Sequence, residues 1–132
     1  MIKGFLLSIT SVTYYNTYEF IHLKELWLDH NEINDISSLD RLRMKNIIKI
    51  KLGHNFIQNI GVISRMTYFY LLKDIDLNNN VISDISSLTS IRSSSLKTIN
   101  LSNNSFVVEN NTYTLNTLKN RGINVILQSN EK

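Results

Sequence analysis

Cysteine, proline and alanine are missing from this chain of 132 residues, and glycine occurs only 4 times. Without cysteine there is no disulfide, no thiolate metal site and no cysteine nucleophile. The compartment stays open, since many secreted bacterial proteins also lack cysteine. The glycines are scattered, so no loop of the sequence is built to cradle a phosphate. The patterns G-x-x-x-x-G-K, G-x-S-x-G, H-E-x-x-H and C-x-x-C do not occur. No apolar run approaches the ~18 residues of a membrane-spanning helix. Charge of one sign is scarce as well. The net charge is +3, with acidic and basic residues interspersed, so no strong field for nucleic acid is expected. The expectation is a chain without cofactor, metal site, nucleic-acid partner or enzymatic constellation.

Leucine, isoleucine and asparagine dominate instead, and they recur in register. "LKELWLDHNEINDISSL" (23–39) is followed by "IIKIKLGHNFIQNIGVI" (47–63), "LLKDIDLNNNVISDISSL" (71–88) and "SLKTINLSNNSF" (95–106). Aligned on Asn31, Asn55, Asn80 and Asn104, the steps are 24, 25 and 24 residues. Apolar residues stand five and three positions before each Asn: Leu26/Leu28, Ile50/Leu52, Ile75/Leu77 and Ile99/Leu101. Another stands two positions after it: Ile33, Ile57, Ile82 and Phe106. A fixed period of this length is the mark of a solenoid, in which each unit buries its apolar face against its neighbours.

Within each unit, "ELWLD", "KIKLG", "DIDLN" and "TINLS" alternate with period two, as half-buried strands do. The pairs Leu39/Leu42, Ile63/Met66, Leu88/Ile91 and Leu115/Leu118 are spaced i,i+3, which predicts short helical turns on the opposite side. Ser37 and Ser86 are placed to cap two of those turns. The Asn of each unit follows a strand where the chain bends inward and backbone groups lose their ladder partners. An amide offers both donors and an acceptor, so it can bond its own turn and that of the next coil. Asn31, Asn55, Asn80 and Asn104 are therefore expected to form a structural ladder.

The pattern resembles the leucine-rich repeat, L-x-x-L-x-L-x-x-N-x-I, over roughly residues 20–130. The short isoleucine-rich unit is similar to those of bacterial internalin-type proteins and of eukaryotic phosphatase regulators. The resemblance implies an α/β fold: a right-handed solenoid with a parallel concave sheet and short helical or 3-10 convex turns. Residues 108–132, with "LKNRGINV", resemble the helix–Gly–strand ending of many bacterial members, although "NSF" replaces their usual N-P-L. Gly122 is expected as the left-handed helix end. Val125 and Leu127 fall 26 residues after Ile99 and Leu101, and Asn130 falls 26 after Asn104, so a fifth coil is expected there. Residues 21–107 then hold four repeats, and residues 1–20 a degenerate half-coil in which Ile9 and Val12 precede Ile33 and Ile36 by 24. A poor signal peptide is the competing reading of "MIKGFLLSITSV". Tyr14, Tyr15, Tyr18 and Phe20 are candidates to shield that end.

The family binds partners on the outward side of its sheet. Here the outward columns read Glu25–Lys49–Asp74–Thr98, Trp27–Lys51–Asp76–Asn100 and Asp29–Gly53–Asn78–Ser102. Opposite charges in register are expected to pair across strands. Trp27 is an interface anchor, or it packs against Lys51, or it is buried under the N-terminal segment. His30 and His54 share a column beside Asp29. They read as polar loop residues, for a metal would need a third ligand that Gly53 does not supply. Arg41, Arg43, Lys45, Arg65 and Arg92 read as a solvated convex face. The expected function is a non-catalytic, monomeric scaffold binding a protein or peptide. The site would be Glu25, Trp27, Asp29, His30, Lys49, Lys51, His54, Asp74, Asp76 and Asn78. A spacer or remnant of a longer array, with no ligand, is the alternative.

Overall fold

The structure, a computed structural model, describes residues 2–3 and 20–128. Six strands form one parallel sheet in chain order: β1 (Ile2–Lys3), β2 (Glu25–Trp27), β3 (Lys49–Lys51), β4 (Asp74–Asp76), β5 (Thr98–Asn100) and β6 (Asn124–Ile126). The register follows the repeat: Leu26 pairs with Ile50, Ile50 with Ile75, Ile75 with Ile99, and Ile99 with Val125. Ile2 pairs with Leu26, so the 24-residue step reaches back to β1. Strands β2 to β6 each span three residues, yet from β2 to β5 the ladder runs one residue further. The N–H groups of Leu28, Leu52, Leu77 and Leu101 donate to the next strand's carbonyls at 2.8–2.9 Å.

Period-two alternation puts every second strand residue into the core. Leu26, Ile50, Ile75 and Ile99 are buried, as are Leu28, Leu52, Leu77 and Leu101. Behind them lie the columns Ile33–Ile57–Ile82 and Ile36–Ile60–Ile85. Phe106, at the end of the first column, is half-buried against the same core. The return side carries 3-10 turns at Ser37–Arg41 and Ser86–Ser90, and a single α-helical turn, α1 (Val62–Arg65). The coil holding α1 is the one with the 25-residue step. A further 3-10 turn (Val108–Asn111) runs into α2 (Thr112–Asn120). Leu39, Ile63, Leu88 and Leu118 point from these turns into the core.

The ladder forms, with its direction reversed from the expectation. Asn55 Nδ2 donates to Leu52 O and Gly53 O of its own turn at 3.0 and 3.1 Å, and to Leu28 O of the preceding coil at 3.0 Å. Its Oδ1 accepts the Ile33 N–H at 3.0 Å. Asn80 repeats this on Leu77, Asn78, Leu52 and Ile57, and Asn104 on Leu101, Ser102, Leu77 and Ile82. Each amide thus stitches backward, because the inward bend that leaves groups unpaired lies in the coil before it. Asn31 donates to Leu28 O and Asp29 O of its own turn.

One further expectation is corrected. Ser37 and Ser86 are not caps, for neither turn has a side-chain capping bond from them. The residue two before does the work: Asp35 Oδ1 accepts the Ser37 N–H and Asp84 Oδ1 the Ser86 N–H, each at 2.8 Å. Asn59 fills the same place in the second coil, accepting the Gly61 N–H at 2.8 Å. A short acceptor side chain reaches a backbone N–H two residues on, whereas the Ser hydroxyl is already inside the turn.

At the C-terminal end Gly122 has φ +78°. The Gly122 N–H donates to Lys119 O at 2.9 Å and the Ile123 N–H to Leu118 O at 3.1 Å. This pair of bonds, with buried Leu118 and Ile123 in contact range, is a Schellman ending. It turns α2 directly into β6. Arg121 Nη2 also reaches back to Ile91 O at 2.8 Å, tying this last unit to the coil before it. The expectations for Ile9, Val12, Tyr14, Tyr15, Tyr18 and Asn130 lie outside the described residues. Phe20 packs half-buried against the core.

Candidate functional site

The side chains that alternate with the core residues stand on the outer face of the sheet. Strand pairing aligns Glu25, Lys49, Asp74, Thr98 and Asn124 in one column, and Trp27, Lys51, Asp76, Asn100 and Ile126 in a second. From β2 to β6 all of these except Asn124 are half-buried, and Asn124 is exposed. A shallow depression runs across β3 to β6 between the two columns, from Lys49 and Lys51 to Ile126.

The expected cross-strand ion pairs do not form. Among the described residues the ion pair found is Arg65 with Asp40 (3.7 Å), and His30 Nε2 stands 3.9 Å from an Asp29 carboxylate oxygen. Lys51 Nζ turns the other way and lies 4.4 Å from the centre of the Trp27 ring. The second reading of Trp27, packing beneath Lys51, is therefore what the geometry shows. Asp76 Oδ1 turns back to accept the Asn78 N–H at 3.0 Å. The result is a face with sign by rung: both lysines on β3, both aspartates on β4, and no ion pair joining them.

Asp29, His30, His54 and Asn78 are not on the strands. They sit in the turns that follow, along one edge of the sheet. His30 and His54 have φ of 57° and 54°, and Asn79 and Asn103 continue the column with 53° and 55°. This left-handed conformation is uncommon outside glycine and enriched in His and Asn. It explains why the residue before each ladder Asn is His or Asn in all four coils. That signal was present in the sequence and was missed. The two imidazoles stack at 4.1 Å with 12° between planes, so their in-plane lone pairs run side by side and do not converge. Asn79 Nδ2 faces His54 Nε2 at 3.4 Å and Asn103 Nδ2 donates to Asn79 Oδ1 at 3.2 Å, extending an outer ladder. Gly53 lies under Asn78, whose Oδ1 occupies the place a Cβ would take.

On the convex side Arg41, Arg43, Lys45, Arg65 and Arg92 are exposed. Lys45 Nζ lies 5.7 Å from the Tyr68 ring. Asp35 and Asp84 have carboxyls held below their ordinary range: Asp35 by the Ser37 N–H and then its hydroxyl, Asp84 by the Ser86 hydroxyl and then its N–H. Phe56 and Val81, one residue past their ladder Asn, are 58% and 44% exposed and were not singled out from the sequence. Among the described residues no three His, Asp or Glu side chains gather as metal ligands. Among them also no helix is long and apolar enough to cross a membrane.

No protein-family model matches the chain, and neither does any curated protein sequence. Solved structures do match. Internalin C2 of Listeria monocytogenes aligns over 81% of this chain and 41% of its own, with 26% identity and a TM-score of 0.60. The internalin inlF of the same organism aligns over 77% and 34%, with 19% identity and a TM-score of 0.50. The fold is the leucine-rich repeat solenoid. The parallel sheet, the short 3-10 and α-helical convex turns and the asparagine ladder agree with it. This leucine-rich repeat chain spans about two fifths of the length of internalin C2 and a third of that of inlF.

Proposed function

We propose that the protein is a non-catalytic interaction module that holds a protein or peptide on the outer face of its sheet, centred on Trp27, Lys51 and Asp76. One observation carries the reading. The charged side chains of β3 and β4 are aligned in two columns on adjacent rungs and form no ion pair with one another. A structural face would be expected to close such pairs. The Asp29, His30, His54 and Asn78 turns form one rim of this surface, with Glu25, Lys49 and Asp74 in the adjacent column. We take residues 21–107 as the four repeats that build the platform and 108–132 as the unit that closes it.

The platform is small. Five full strands at ~4.8 Å by about five residues at ~3.3 Å give roughly 400 Å². A standard stable interface takes about 800 Å² from each partner. The partner is thus a peptide or a weakly held protein, or it also grips the turns. The combined variant Trp27→Ala, Lys51→Ala and Asp76→Ala tests this. Proteins captured from lysate by the wild type are expected to be lost. Retention of the same proteins would place their binding off this face, and a wild type that captures nothing would leave a ligand-free spacer as the better account.

A further inference from the structure

We infer that the sheet face is self-complementary and that a second copy of this chain docks on it. The inference rests on the reading of this face as a protein-binding surface. The argument is the order of charge along the stack. β3 presents Lys49 and Lys51, and β4 presents Asp74 and Asp76, in the same two columns. Turn a second sheet over to face the first, about a two-fold axis parallel to the strands and midway between β3 and β4. Each lysine rung then lies opposite an aspartate rung: Lys49 faces Asp74 of the other copy, and Lys51 faces Asp76. Two-fold symmetry repeats both contacts, which makes four opposite-charge pairs from two columns. β2 falls opposite β5, so Trp27 meets Asn100 and no charge is set against a like charge.

The axis also falls at the centre of the sheet, because three strands lie on each side of it. The overlap along the stack is therefore as large as the face permits, and the charged side chains reach toward one another across the shallow depression that each copy carries. None of the four side chains makes an ion pair within the chain, but in docking Lys51 has to share its contact with the Trp27 ring and Asp76 its bond to the Asn78 N–H. They are half-buried on a regular platform, which limits the side-chain ordering that association requires. At roughly 400 Å² per copy the interface lies at the small, transient end of the range, so the dimer is weak and salt-sensitive. The inference departs from the monomer expected from the sequence.

Sedimentation equilibrium at low salt, up to about millimolar chain, tests the inference. Wild type is expected to show reversible dimer that declines as salt is raised. Lys49→Asp with Lys51→Asp makes both rungs acidic, and Asp74→Lys with Asp76→Lys makes both basic. Each is expected to weaken self-association more than tenfold. An equimolar mixture of the two should recover a heterodimer, and the fourfold exchange should recover a homodimer. Recovery in the mixture shows that both variants are folded. Wild type that remains monomeric, or double variants that associate as tightly as wild type, would overturn the inference. If wild type is monomeric while lysate proteins still depend on Trp27, Lys51 and Asp76, only self-docking fails. If that dependence is absent as well, the reading of the face fails with it.

Discussion

One amide per coil does most of the polar work in this core. Asn55 and Asn80 each satisfy four backbone groups, in two coils at once. Burying those groups without partners costs about 1–3 kcal/mol apiece, though relaxation and water recover part of it. Asn55→Ala and Asn80→Ala are expected to destabilise by roughly 2–4 kcal/mol in urea titration. Asn104→Ala should lose less, since its site is half-buried and water can enter. The ladder was legible because a residue type that is rarely buried recurred in a buried register. Its direction was not, because sequence shows which residue bonds but not which neighbouring coil bends. The caps show a different blindness. Asp35 and Asp84 were in plain view in the twin "DISSL" stretches, and the adjacent serines drew the assignment. Their lowered carboxyls lead to a pH test. A group with a folded pKa below its unfolded value adds stability above the latter and loses it as pH falls through the former. The contribution of Asp35 and Asp84 is thus present above about 3.8 and fades below it. Asp35→Asn and Asp84→Asn keep the acceptor, as Asn59 shows. The double variant keeps the bonds but not the charge, so it should have a slightly lower urea midpoint than wild type near pH 7 and lose less than wild type on going to pH 3. Equal losses would remove these carboxyls from the acid response.

Elements here are set by crossings between coils more than by propensity. The strands are three residues long, far too short to persist alone, and they exist because the next rung pairs with them. Gly53 shows how tight the crossing is. A Cβ there collides with Asn78 Oδ1, a side-chain tip that can swing aside only by giving up its position. Gly53→Ala is expected to destabilise by about 1–2 kcal/mol. Adding Asn78→Ala should recover most of that, and a double-mutant cycle by chemical denaturation measures the coupling. Strand register and helix ends were readable from apolar spacing and from Gly122. The choice between α and 3-10 turns was not, since both satisfy an i,i+3 pair and one residue of coil length separates them. The left-handed column of His30, His54, Asn79 and Asn103 leaves no apolar trace, and its only mark in the sequence is the His or Asn before each ladder Asn.

At the scale of the molecule, stacking turns a 24-residue pattern into a ruled surface. Every outward residue acquires a row and a column, and chemistry that is dispersed in sequence becomes contiguous. Lys49 and Asp74 are 25 residues apart and sit on adjacent rungs. The candidate site was legible to this extent: the repeat spacing fixes which residues share the two strand columns. What the charges do within them was not legible, because pairing depends on where each side chain swings. Lys51 goes to Trp27, and Asp76 goes to its own turn. The most direct test of a sheet-face interaction module is site-specific photo-cross-linking. A photoreactive residue is placed at Thr98, on the face, and in a second chain at Arg92, on the convex side. The account predicts adducts to a partner protein, or to a second copy, from position 98 and none from position 92. Adducts from position 92 with none from position 98 would contradict it.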